Sequence, residues 1–182
     1  MFPVIGLCGV ARSGKNHIAN ILRDYFGLLP WAYANTLKFQ MYGKDTNSWT
    51  LEQLFYLEKP VELRQELQIE GTELGRDVYG QQYWIKQTEA FLFLAERDFK
   101  AKGASVLDIR FPNEATFIKD LGGVVLRIER EGAGLQGGQA THRSESQIED
   151  IKVDGIIYNH NFPSDENLVK QLTPYLLKLG VE

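Results

Sequence analysis

The stretch CGVARSGKNHIAN, Cys8 to Asn20, sets Gly9, Gly14 and Lys15 at the spacing Gly-x4-Gly-Lys. Glycines at these points let the backbone turn successive N–H groups toward anionic oxygens. A lysine beside them supplies a flexible ammonium that can follow the β- and γ-phosphates of a nucleotide. The apolar run FPVIGLCG precedes the loop and an amphipathic helix pattern follows it, so the helix N-terminus adds its dipole to the anion site. The expected phosphate contacts are Gly9, Ala11, Arg12, Ser13, Gly14, Lys15, Asn16 and His17. A Ser or Thr usually follows the loop lysine and ligates magnesium, whereas Asn16 offers a neutral amide oxygen of different reach. Mg2+ is therefore expected to be held by the nucleotide, by water, by Asn16 and by an acid elsewhere, because this ion keeps several of its waters.

That acid is expected to be Asp108, at the C-terminal end of the strand pattern GASVLDIR, the edge at which open parallel sheets bind ligands. It could hold a magnesium water or orient the acceptor; the alternative is a cap on the next helix. Phosphoryl transfer asks for in-line positioning and for positive charge on the equatorial oxygens more than for a strong base. Arg110 follows Asp108 by two residues, while Arg130 opens and Arg143 closes the glycine-rich stretch EGAGLQGGQATHRSE. Lys15, Asp108, Arg110, Arg130 and Arg143 are thus the catalytic candidates. Arg127 could face either side of its strand, and His142 reads most simply as a solvated loop residue.

These residues need elements to carry them. Ile18, Ile21, Leu22, Tyr25 and Phe26 fall on one face of the first helix, which Gly27 stops. LLPWAYAN reads as a second strand, with Pro30 pointing to a sheet edge or to the strand's beginning, and Thr36 can cap a helix opening at Leu37. Leu51, Leu54 and Phe55, then Trp84, Thr88, Phe91, Leu92, Ala95 and Phe99, recur at helical spacings with no strand pattern between Asn35 and Lys102. Pro112 stands at a first helical position, and Gly122 and Gly123 end that helix. VVLRIER and DGIIYNH are further strands, and Leu168, Leu172, Tyr175, Leu176 and Leu179 mark a closing helix. Strands alternating with helices predict an α/β fold, a parallel sheet of about five strands flanked by helices.

The 182 residues, 43% hydrophobic and 24% charged, suit a single domain spanning 1–182. A formal net charge of -4 argues against a broad basic face for a nucleic acid polymer. The single cysteine, Cys8, excludes an internal disulfide and makes structural zinc a poor reading. No apolar run is long enough to span a membrane, and no basic segment precedes the N-terminal apolar stretch, so a cytoplasmic protein is expected.

Five segments together resemble the bacteriophage deoxynucleoside monophosphate kinase family, a branch of the adenylate-kinase-like P-loop kinases: GVARSGKN, YANTLK, LQIEGTELGRDVYGQQYWIK, VLDIRFPNEATFIKDLGGVVLRIER and THRSESQIEDIKVDGIIYNHN. In that family Asp often follows the loop lysine, so Asn16 is similar to that replacement with its charge removed. The resemblance implies a core (1–35 and 103–182) that binds ATP, a helical insertion (about 36–102) that binds the monophosphate, and a short lid (about 130–144). Within the insertion, Arg76 could fork onto an acceptor phosphate, and Trp84 and Tyr79 offer flat surfaces to a base. Lys38, Arg64 and Thr72, with Asp108 and Arg110 from the core, complete the acceptor candidates. Trp84 also fits the apolar stripe of its own helix, and packing there is an equal alternative.

The expected reaction is ATP-dependent phosphoryl transfer to a deoxynucleoside 5′-monophosphate. Its partners are the two nucleotides, with neither nucleic acid nor membrane involved; a homodimer is admissible, and the compartment is the host cytoplasm if a phage encodes the chain. Two other readings stay open: a kinase for a non-nucleotide phosphate, similar to animal phosphomevalonate kinases, and a non-catalytic nucleotide-binding module in which Asn16 has abolished productive magnesium geometry.

Overall fold

The computed structural model describes residues 1–42, 49–50, 53, 60–134, 147–160 and 163–181. The expected helical residues Leu51, Leu54 and Phe55 lie outside them. Five strands, β1 (Val4–Cys8), β2 (Leu28–Ala32), β3 (Gly103–Ile109), β4 (Val124–Glu129) and β5 (Gly155–Tyr158), form one sheet in the order β2-β3-β1-β4-β5. Every neighbouring pair is parallel. All C-terminal strand ends therefore share one edge, and the loops leaving β1, β3, β4 and β5 meet there. Pro30 sits on β2, the edge strand, where a missing N–H costs no central ladder bond.

Helices cover both faces. On one, α1 (Lys15–Phe26) and α6 (Asp165–Lys178) pack Ile18, Leu22, Leu168 and Leu172 against Ile5, Leu7, Leu126 and Ile157 of the sheet. On the other, α4 (Tyr83–Arg97) and α5 (Pro112–Asp120) bring Trp84, Leu92, Ala115 and Ile118 onto Val4, Val106 and Val125. The central strand β1 is buried throughout, which is why it is a continuous apolar run and not an alternating one. Between β2 and α4 come α2 (Ala34–Tyr42), α3 (Val61–Gln68) and a π-helical turn, Ile69–Leu74.

Three local expectations are corrected. Helix α2 opens at Ala34, so Thr36 lies inside its first turn and is not its cap. Tyr25 and Phe99 are 59% and 66% exposed: Tyr25 sits at the solvent edge of the α1 stripe, and Phe99 follows the end of α4. The rest of both stripes is buried or half-buried. Among the described residues no helix is long and apolar enough to cross a membrane.

Candidate active site

After β1 the chain turns through residues 9–14 with φ of 139° at Gly9, 65° at Arg12 and 100° at Gly14. Such reversals turn successive amides toward one side, as an anion-binding nest requires, and the positive φ at Arg12 is a strain that functional loops retain. Lys15 Nζ donates to the carbonyls of Gly9 at 2.8 Å and Val10 at 3.0 Å, which holds the ammonium over the loop. Asn159, just past β5, supports the loop from behind. Its Nδ2 donates to the Ser13 carbonyl at 2.9 Å while its own N–H bonds Glu129 O at 2.8 Å. Gly14 leaves no room for a side chain, since a Cβ there would lie 2.1 Å from that Nδ2. Asn159 went unnoticed in the sequence because its partner is 146 residues away.

The second component comes from β3. Its pairing with β1 steps from Gly6↔Val106 to Cys8↔Ile109, one extra residue on β3, and Asp108 within the step has φ 59°. This is a β-bulge. Its effect is visible in the core, where Val106 and Ile109 pack into the same layer, although an unbroken strand would send them to opposite faces. Without the extra residue Asp108 would share the apolar layer of Val106; with it, Asp108 lines a cleft of about 1040 Å³ at the C-terminal sheet edge. That volume lies at the upper end of the usual range for ligand clefts.

Ala11, Arg12, Gly14, Lys15 and Asn16 line the cleft from the loop. Lys38, Arg64, Thr72, Arg76 and Trp84 line it from the helical segment between β2 and β3, and Asp108, Arg110 and Arg130 from the strand ends. Burial draws the Lys38 ammonium below its ordinary 10.5; Asp108 opposes that shift and Arg110 adds to it. A lysine so shifted loses its charge at lower pH than an exposed one. The alkaline limb of kcat/KM for an anionic acceptor is therefore expected to begin below 10.5, and Lys38→Arg, whose charge persists, should move it upward. Coincident limbs in the two pH profiles would show that Lys38 charge has no part in acceptor capture.

Part of the cleft wall is built on the π-helical turn. Glu70 O accepts Gly75 N–H at 2.8 Å and Thr72 O accepts the N–H groups of Arg76 and Asp77. The Gly71 carbonyl between them is taken by the Trp84 indole N–H at 2.7 Å. The indole also lies where a Cβ on Gly75 would be, 2.5 Å from Cζ2. Trp84 is buried at 5% exposure, so packing is its principal role; it fastens the turn that presents Thr72 and Arg76. Arg76, at 1% exposure, stacks over the Phe111 ring at 3.7 Å and is paired through Nη2 with Glu114 Oε1 at 2.5 Å. Burial pushes the Glu114 carboxyl above its ordinary value, against the pull of Arg76 and of the Arg110 and Phe111 N–H groups. Sequence reading missed Glu114, although an acid at the third helical position, two residues after a helix-opening Pro, is a recognisable capping signal.

Four expected site residues fall elsewhere. Tyr79 is 68% exposed, against Tyr83 and outside the cleft lining. His17 Nε2 donates to Asp165 at 3.1 Å, tying α1 to α6. Gly9 and Ser13 shape the loop from beneath, the Ser13 side chain fully buried. Arg143 and His142 lie outside the described residues, as does most of the expected lid, although Gly134 N–H at its described end bonds Ala11 O of the phosphate loop at 2.9 Å. Arg127 is structural: its Nη2 donates to the carbonyls of Ile148, Glu149 and Ile151.

Comparison with known proteins agrees with this architecture. No protein-family model matches the chain. A curated relative named "Putative deoxynucleotide monophosphate kinase", from Acanthamoeba polyphaga mimivirus, is 32% identical over 181 residues, covering 90% of this chain and 91% of its own length. Among solved structures, shikimate kinase from Aquifex aeolicus superposes with a TM-score of 0.51 at 14% identity, covering 96% of each chain. Dephospho-CoA kinase from Campylobacter jejuni superposes with 0.50 at 16% identity, covering 97% of this chain and 98% of its own. The two structures share the fold of this chain, and the sequence relative carries the family. The chain belongs to the deoxynucleotide monophosphate kinase family.

Proposed function

We propose that the protein transfers the γ-phosphoryl group of ATP to a deoxynucleoside 5′-monophosphate, yielding ADP and the diphosphate. The observation that carries this reading is one cleft lined both by the phosphate loop and by Lys38, Arg64 and Arg76. Donor and acceptor phosphates then meet in a cleft lined with positive charge. An oxygen of the acceptor phosphate attacks the γ-phosphorus as its bond to the β,γ-bridging oxygen breaks, and ADP leaves with that bridging oxygen. The loop amides and Lys15 bind the donor; Arg110 and Arg130 stabilise charge spreading over the equatorial oxygens, and Arg110 also binds the acceptor phosphate beside Arg76. Asp108 orients the acceptor. Residues about 36–102 act as the acceptor-binding insertion and about 130–144 as the lid, with Arg143 as its closing charge.

The donor set fits a magnesium ion that arrives on the nucleotide. Asn16 and Asp108 line the same cleft, and among the described residues no group of three or more His, Cys, Asp or Glu side chains forms a cage for a metal. These two residues would hold it, in part through water, and the ion would shield phosphate charge.

An ADP-release assay over dAMP, dCMP, dGMP and dTMP tests the proposal, with turnover of at least one as the expected result. ATP binding with no turnover of any of the four would remove it. A phosphate acceptor lacking a base is the second reading, favoured by the engagement of Trp84 in its own wall, and 5-phosphomevalonate belongs in the same panel. Turnover of that compound alone would decide for it.

A further inference from the structure

Glu114 is 3% exposed, yet it borders the cleft, and both of its oxygens are committed. Oε1 accepts from Arg76 Nη2 at 2.5 Å; Oε2 accepts the backbone N–H groups of Arg110 at 2.8 Å and Phe111 at 3.1 Å. The two sides belong to different parts of the chain. Arg76 follows the π-helical turn of the helical segment and bonds back to it through its N–H, whereas Arg110 and Phe111 form the step from β3 to α5. Arg76 is fixed further by Gln81 Oε1 at 3.1 Å and by the Phe111 ring beneath its guanidinium.

We propose that Glu114 is a positioning residue that sets the two acceptor-side arginines in register, gripping the Arg76 guanidinium with one oxygen and the Arg110 backbone with the other. This rests on the acceptor reading given above. The chemistry requires a carboxylate. Every partner is a donor, so the bridging group must accept on both oxygens, and an amide accepts on one only. A buried ion pair is also a poor device for stability alone, because apolar residues of similar volume commonly serve as well. Its position on the cleft wall, between two cations that line the same space, gives it a use that packing does not.

The test is Glu114→Gln, which keeps shape and volume but presents an NH2 to one set of donors. KM for ATP and for each of dAMP, dCMP, dGMP and dTMP would be measured beside the thermal midpoint. The expected result is a rise in acceptor KM of roughly ten- to a hundredfold, with ATP KM nearly unchanged. Should Glu114→Gln fail to fold, Glu114→Asp carries the same test, since it retains two acceptor oxygens on a stem too short to bridge both sides. In a folded variant, unchanged KM values, or equal rises for ATP and acceptor, overturn the inference while leaving the kinase reading intact. A wild-type protein that turns over none of the four deoxynucleotides overturns both.

Discussion

Lys15→Met is expected to lower turnover by roughly a hundred- to a thousandfold, with a weaker ATP KM and an unchanged fold. Methionine nearly matches the length of the stem, so what is removed is the ammonium. That group donates to Gly9 O and Val10 O, and Lys15 lines the cleft beside the loop amides that take an anion on such a nest. Its loss is felt most where charge builds on the transferring group, which makes kcat the more sensitive parameter. The Gly9 carbonyl is buried and loses its donor, so the thermal midpoint should fall by what one lost hydrogen bond accounts for, about 1–3 kcal/mol of stability, and no more. Steady-state kinetics on a variant with native circular dichroism checks this, and undiminished turnover would remove the phosphate-loop assignment.

Gly9→Ala acts on the fold. The residue has φ 139°, where side chains are strained, and a Cβ would lie 2.5 Å from the Ile128 backbone carbonyl, which cannot rotate away. Backbone strain of about 1–2 kcal/mol and overpacking of similar size sum to roughly 3 kcal/mol. For a chain of this length the thermal midpoint should fall by roughly 6–12 °C. Gly132, at φ 71° with no atom within 4 Å of a Cβ, is the control: there alanine meets backbone strain alone and should cost about half as much. Equal losses at the two positions would show that the approach of β4 to the loop does not matter. Differential scanning calorimetry separates the cases.

Local rules made much of this molecule readable. Glycines and a lysine at fixed spacing, after an apolar run and before an amphipathic helix, permit few structures, and β1, the loop and α1 follow from them. Pro30 marked its strand as an edge for the plain reason that it has no N–H to give. The unreadable part was long-range. Arg76 looked like a free hand for a phosphate, and only the folded chain brings Glu114, 38 residues on, against its guanidinium. Trp84 satisfied both a base platform and a helix stripe in sequence; the carbonyl skipped by the π-helical turn decided for the wall. Tyr79, expected at the base, failed because the turn before α4 carries it outward.

The bulge in β3 sets two demands in opposition at one position. A φ of 59° is where glycine would relax the backbone, so drift toward robustness favours losing the side chain at 108. The same drift would empty the sheet edge of the acid that the extra residue turns toward it. Thermal selection on this enzyme, applied without a demand for turnover, should therefore favour change at Asp108, and a resilient but inert descendant is its natural product.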